Sequence, residues 1–270
     1  MPKVKVNNVQ INYEEAGRGE ALVFLHGYTG STQDWANQFQ AFSGRYHTIA
    51  VDCRGHGLSE APTDEAAYSI RTFSEDVFAL LQSLGLQRYC LIGHSMGGFQ
   101  SLEFILNHPE MPRGLVLVDT SSGDWEVAPG AEELRAKLDE LARTEGLEAA
   151  FDYDAANNPM RIDRYKAHPE QREIARRKVL QTSVDGYIYV SRTFRRWGPV
   201  TERLGEIKVP TLIVLGEEDA GFIKACDIMK ARIPGSELVV VPGSGHNPHE
   251  EKPELFNAAM EKFLPRIDWS

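Results

Sequence analysis

Gly93-His94-Ser95-Met96-Gly97-Gly98 decides the fold. It follows an apolar run, Tyr89 to Ile92, that reads as a buried strand, and it precedes Phe99, Leu102, Ile105 and Leu106, which are spaced for one face of a helix. A serine held in a sharp turn between a strand and a helix is strained and presents its hydroxyl outward, and glycines at 93 and 97 make room for such a turn. The G-x-S-x-G spacing alone arises often by chance; the strand before it and the helix after it give it meaning.

The pattern extends in both directions. Val4 and Val6, then Ile11 and Tyr13, alternate as in half-buried strands, whereas Ala21 to Leu25 and Thr48 to Val51 suit strands covered on both faces. Downstream, buried strands are expected at Gly114 to Val118, Thr211 to Leu215 and Leu238 to Val241, separated by segments long enough for crossovers. Ile70, Phe73, Val77, Leu80, Leu81 and Leu84 recur at helical spacing, with Thr72 and Glu75 as a candidate capping box, and a last helix is expected from Pro253 to Leu264. The prediction is an antiparallel edge leading into a doubly wound, mostly parallel α/β sheet. Between 123 and 203 the alternation stops: Leu134, Leu138 and Leu141 share one helical face, and Tyr187, Val190, Phe194 and Trp197 another. This stretch reads as a helical cap inserted into a core of residues 1–122 and 204–270.

A serine hydroxyl needs a general base and an acid to orient that base. In this kind of sheet the expected order is serine, acid, histidine, with each residue just beyond a strand end. Asp219, in Gly216-Glu217-Glu218-Asp219, and His246, in Gly243-Ser244-Gly245-His246, meet that order. Asp119 also closes a buried strand on the same edge and is the competing acid. His26, His56 and His94 read as loop braces, and His249 as a solvent-facing loop residue. The backbone N–H of Met96, opening its helix, and that of Tyr28, after His26-Gly27, are the candidate donors to an oxyanion.

Composition narrows the field. With 270 residues, 42% hydrophobic, the chain can bury a full core without disulfides or metal. Its formal charge of −10 disfavours nucleic acid and anionic lipid as partners. No apolar segment reaches the roughly 18 residues of a membrane span, and no signal-like h-region follows the first lysines, so a soluble, cytoplasmic protein is expected, either monomer or homodimer. Cys53, Cys90 and Cys226 are far apart and read as buried thiols. No HExxH, paired Cys/His or phosphate-cradling glycine motif is present, so neither metal nor cofactor is expected.

HGYTGS at 26–31, DCRGHGLS at 52–59, GHSMGG at 93–98, GEED at 216–219 and GSGH at 243–246 together resemble the α/β-hydrolase superfamily over essentially the whole chain. The resemblance implies an α/β-hydrolase fold with a cap between the sixth and seventh core strands. It also implies an oxyanion hole at Tyr28 and Met96, and a structural role for Arg54 to Gly57. One departure is the short Ala220-Gly221-Phe222 after Asp219, where relatives often have a longer loop; this raises the standing of Asp119.

The expected activity is hydrolysis of small to medium carboxylic esters through an acyl-enzyme on Ser95. Tyr28, Trp125, Phe151, Met160, Tyr187, Phe194 and Trp197 are the candidate pocket residues. A carbon-carbon bond hydrolase, a lactonase and a lyase of the menaquinone-pathway type are alternatives on the same fold, and a slow-turnover ligand-binding signalling protein is a rival of another class. Arg192, Arg195 and Arg196 could receive an anionic substrate, but three arginines on one helical stretch are more often a solvated face paired with acids. Residues 123–154 carry 10 acidic and 3 basic side chains and 155–203 carry 5 and 11, so the two parts are expected to pair with each other.

Overall fold

Strand periodicity sorts the apolar side chains onto two faces of a single sheet. The computed structural model describes residues 2–124 and 130–270, apart from the side chain of Met160. Its strands are β1 (Lys3–Val6), β2 (Val9–Ala16), β3 (Ala21–Leu25), β4 (His47–Val51), β5 (Tyr89–His94), β6 (Pro112–Val118), β7 (Thr211–Gly216) and β8 (Glu237–Val241). They lie in the order β1-β2-β4-β3-β5-β6-β7-β8. β2 runs antiparallel to both β1 and β4, and every other pairing is parallel. This is an α/β-hydrolase fold.

Val23, Leu25, Leu91, Leu115, Leu117, Ile213 and Leu215 point into one core layer. The residues between them, including Leu22, Phe24, Ile92, Val116, Val118, Leu212 and Val214, point into the other. Helices Ile70–Ser83, Met96–Asn107 and Ile223–Arg232 cover the first layer, and Ala36–Phe42 and Pro253–Phe263 cover the second. A sheet wrapped on both sides has one free rim for chemistry, where the strands give way to loops at their C-terminal ends. Five helices, Ala131–Thr144, Leu147–Asn157, Pro159–Ala167, Pro169–Leu180 and Val184–Arg196, fall between β6 and β7 as a helical cap insertion with its own apolar interior.

Two local expectations are corrected. Ser69, not Thr72, caps the helix Ile70–Ser83: its side chain accepts the Thr72 N–H at 3.0 Å, so Thr72 lies inside the first turn. His249 is fully buried and stacks on Trp35 at 4.3 Å, because the chain turns inward after Asn247. The three cysteines are buried and unpaired. Among the described residues no helix is long and apolar enough to cross a membrane.

Arg54 holds Asp76 with two hydrogen bonds, Nε to Oδ2 at 2.6 Å and Nη2 to Oδ1 at 2.7 Å, with both side chains buried. Arg54→Met would leave the Asp76 carboxylate buried without its cation. A loss of about 3–5 kcal/mol is expected in urea unfolding, and a change under 1 kcal/mol would contradict a structural role for this segment.

Candidate active site

Ser95 sits between β5 and the helix Met96–Asn107 with φ +49°, a conformation that a non-glycine residue holds only when its surroundings fix it. Its N–H donates to the Val118 carbonyl at 2.9 Å, and its own carbonyl accepts from the Thr120 hydroxyl at 2.7 Å. A Cβ at Gly97 would lie 2.1 Å from the Leu25 carbonyl oxygen, and one at Gly93 would lie 2.2 Å from that of Gly97. Both positions therefore admit only glycine, and the turn brings Ser95 against the end of β3. The two candidate oxyanion donors flank this contact: the Tyr28 N–H just after β3 and the Met96 N–H at the start of its helix have no backbone acceptor in the turns and loops among the described residues.

The loop after β8 carries His246, whose Nδ1–H donates to Asp219 Oδ2 at 2.6 Å. That bond leaves the Nε2 lone pair to act as a base. No hydrogen bond joins the ring to the Ser95 hydroxyl here; such contacts tighten when substrate binds. Phe222 stacks on the imidazole at 4.9 Å, an apolar wall that the short loop after Asp219 brings into place. His94, fully buried, donates from Nε2 to the His246 carbonyl at 2.7 Å and so ties the serine turn to the histidine loop. Burial first, then the neighbouring His249 and His246, hold its pKa well below the usual imidazole range, so it stays a neutral brace.

Asp119 stands behind the pair. It is fully buried at the end of β6, with φ +40°, and its Oδ1 accepts the Gly216 N–H at 2.9 Å. Burial first, then the charge of Asp219, raise its carboxyl well above the usual range. Burial opposes ionisation of Asp219 too, but the hydrogen bond and charge of His246, then Asp119 and Arg164, bring its pKa below the usual value. The two shifts run in opposite directions, so Asp219, which faces His246, is the easier of the two to ionise. The ligating atoms of Asp119, Asp219 and His246 lie within 4.8 Å of one another. The 2.6 Å contact within the group is a hydrogen bond, shorter than the spacing of two donors that each lie about 2.0–2.2 Å from a shared ion.

A stability signature follows from the buried carboxyl. With its carboxyl pKa raised by burial and by the charge of Asp219, Asp119 contributes stability that is complete at low pH and falls as pH rises toward the raised native pKa. Asp119→Asn removes that loss. Denaturation midpoints should rise relative to wild type on going from pH 3 to pH 8, and a constant difference would place an ionised Asp119 in the native state.

The aromatic candidates divide. Phe194 meets Tyr28 edge-on at 5.5 Å and Phe99 at 5.8 Å, and Trp197 stacks on Phe99 at 5.1 Å, forming a wall beside Met96. Tyr187 is nearly buried, and its carbonyl accepts the Tyr28 hydroxyl. Phe151 is corrected: it faces the interior of the cap with Leu138, Leu147 and Ile188 rather than a pocket, because helical spacing does not say which side of a cap helix meets the core. Trp125 and the Met160 side chain lie outside the described residues.

Arg192 pairs with Asp139 and Glu65, Arg195 with Glu132, and Arg196 with Glu65, so all three have acidic partners. Elsewhere in the cap Arg161 pairs with Asp154, Arg172 with Asp152 and Arg176 with Glu148, which is the expected pairing of the acidic part with the basic one. Phe99 was read only as part of a helical face and Phe222 only as part of the shortened loop after Asp219, while Arg164 and Glu251 were not singled out in the sequence at all.

A model of the alpha/beta hydrolase fold family matches residues 20–253. A Bacillus subtilis (strain 168) protein provisionally named a 2-succinyl-6-hydroxy-2,4-cyclohexadiene-1-carboxylate synthase is 30% identical over 268 residues, 95% of this chain and 96% of the relative. The 2-hydroxy-6-oxononadienedioate/2-hydroxy-6-oxononatrienedioate hydrolase of Burkholderia vietnamiensis (strain G4 / LMG 22486) is 30% identical over 272 residues, 96% of this chain and 92% of the relative. Among solved structures, a thermophilic esterase from Thermogutta terrifontis with malate bound has a TM-score of 0.85 at 25% identity, covering 98% of this chain and 97% of that one.

Proposed function

Because the chain belongs to the alpha/beta hydrolase fold family and is a hydrolytic enzyme of it, we propose that it cleaves a bond beside a carbonyl through Ser95, with His246 as base and Asp219 as its orienting acid. The observation that carries this reading is the 2.6 Å His246–Asp219 hydrogen bond on the rim where Ser95 is held at φ +49°. His246 Nε2 takes the Ser95 proton as Oγ attacks the carbonyl carbon, and the Tyr28 and Met96 amides receive the oxyanion, each worth about a hundredfold or more in rate. The protonated imidazole then passes its proton to the departing group. Water, deprotonated by the same Nε2, frees the acid and restores the serine.

Two departing groups fit this chemistry. The name of the Burkholderia vietnamiensis relative, a hydrolase of oxo-diene diacids, favours a carbon leaving group, and that of the Bacillus subtilis relative, a synthase, favours a lyase; together they weigh more than the ester reading reached from the sequence. The ester reading keeps one specific support, since Arg161, Arg192 and Arg195 of the cap already have acidic partners and the wall beside Met96 is aromatic, which suits a neutral acyl group.

Steady-state hydrolysis of a p-nitrophenyl ester series should be measured beside cleavage of a 2-hydroxy-6-oxo-2,4-dienoate, each with wild type and Ser95→Ala. A kcat/KM higher on the dienoate by a hundredfold or so, about 2.7 kcal/mol in the barrier, would establish the carbon-carbon reading; the reverse would establish the ester. Turnover that survives Ser95→Ala would overturn both, and a single turnover of every substrate would favour a ligand-binding role.

A further inference from the structure

We infer that the cap sets the catalytic loop through an Arg164–Glu251 contact, which makes Glu251 a positioning residue for His246 and Arg164 the cap's hold on it. The inference rests on His246 being the general base.

Glu251 ends the short helix Pro248–Glu251 that follows the histidine loop. Its Oε2 accepts the Gly245 N–H at 2.7 Å and the Ser244 hydroxyl at 3.3 Å, and its Oε1 accepts the Asn247 N–H at 3.3 Å. One carboxylate therefore fastens the residues on both sides of His246. The fourth donor comes from the cap: Arg164, on the helix Pro159–Ala167, gives an Nη2–H to Oε1 at 2.5 Å, while its Nε–H is held by Gln171 at 2.7 Å within the cap itself.

Two further features place this contact on the loop rather than merely near it. A Cβ at Gly245 would fall 1.7 Å from Arg164 Nη1, so the guanidinium lies against backbone where only a hydrogen fits. One residue earlier, Lys178 of the cap helix Pro169–Leu180 lies 2.5 Å from Glu250 and 3.2 Å from Asp34. The cap thus grips two consecutive residues of the turn after His246. If the cap shifts outward, Arg164 leaves, Glu251 keeps a partly buried charge without its cation, and the three hydrogen bonds that shape the loop loosen. The loop then holds His246 in its present place only while the cap is seated.

The test uses the full chain with Arg164→Met and Glu251→Gln, and with Arg176→Met as a control that removes an exposed cap arginine paired with Glu148. Two readouts are taken: kcat and KM on whichever ester or dienoate the wild type turns over, and the far-downfield proton resonance of His246 Nδ1–H, which needs no substrate. The expected result is a kcat lowered about tenfold to a hundredfold with KM within about twofold, loss or broadening of the resonance in both variants, partial recovery in Arg164→Lys, and no change in Arg176→Met. A purely structural role would lower the melting temperature and leave kcat and the resonance intact; that result, in either variant, would overturn the inference. If Arg164→Met does not fold, Arg164→Lys and Glu251→Gln carry the test. Activity retained in Ser95→Ala would fault the nucleophile reading instead, because the resonance reports the link between cap and loop whether or not Ser95 reacts.

Discussion

Ser95→Ala should lower kcat by about a millionfold, and adding His246→Ala should cost almost nothing more. The two side chains act as one unit: without the hydroxyl there is no proton for Nε2 to take, and without the base the hydroxyl stays a weak nucleophile. What survives is the contribution of the Tyr28 and Met96 amides and of binding, about a thousandfold or more over water. KM should change little, since the hydroxyl contributes mainly after attack begins. Pre-steady-state kinetics make the test sharper, with the release of one equivalent of the first product before the slower step in wild type and none in Ser95→Ala. A double variant markedly slower than either single one would mean that the two residues work separately, and the proposed mechanism would fail.

The second large effect separates the two buried acids. Asp219→Asn should reduce kcat by about ten-thousandfold, because an amide facing Nδ1 can turn its N–H toward the ring and stabilise the wrong tautomer, with Nε2 protonated. Asp119→Asn should keep most of the activity, since the amide oxygen can still accept from Gly216 and the substitution leaves the His246–Asp219 hydrogen bond in place. Protein melting curves recorded alongside would show whether either loss came from unfolding. The opposite ranking of the two variants would make Asp119 the acid of the triad.

Why the sequence left that choice open is physical. Asp119 and Asp219 close neighbouring strands β6 and β7, and linear order says only that both reach the same rim; the side on which each carboxyl meets the ring depends on Gly216 N–H claiming one of them. The strands themselves were readable because a sheet covered on both faces demands continuous apolar runs, and Ala21 to Leu25 and Thr211 to Leu215 have no other comfortable home. The serine turn was readable for a similar reason, since its glycines are dictated by close approach. His249 misled because a histidine in a polar stretch gives no hint of the indole that buries it. Thr72 misled because it is followed by a glutamate at capping distance, whereas Ser69 directly before Ile70 is where the helix opens. Arg164 and Glu251 are 87 residues apart and belong to different layers, so nothing in either neighbourhood announces the contact. Charge at coarser grain was more informative: the imbalance between the two parts of the cap foretold the ion pairs that join them.

The strand order carries a consequence for how the protein comes to life. Ser95, Asp219 and His246 follow β5, β7 and β8, and β8 forms the outer edge of the sheet, with the base supplied by the last loop before the C-terminal helix. A chain emerging from synthesis therefore has its serine turn before it has the proposed base, and a fragment ending before Glu237 would lack both His246 and the helix Pro253–Phe263 that covers one core layer. The longest loop closure in the sheet lies elsewhere, between β6 and β7, where the cap intervenes; β8 joins β7 across a short crossover once that closure is made. Recovery of turnover during refolding should not precede recovery of the sheet's circular dichroism, so that activity marks the completion of the molecule.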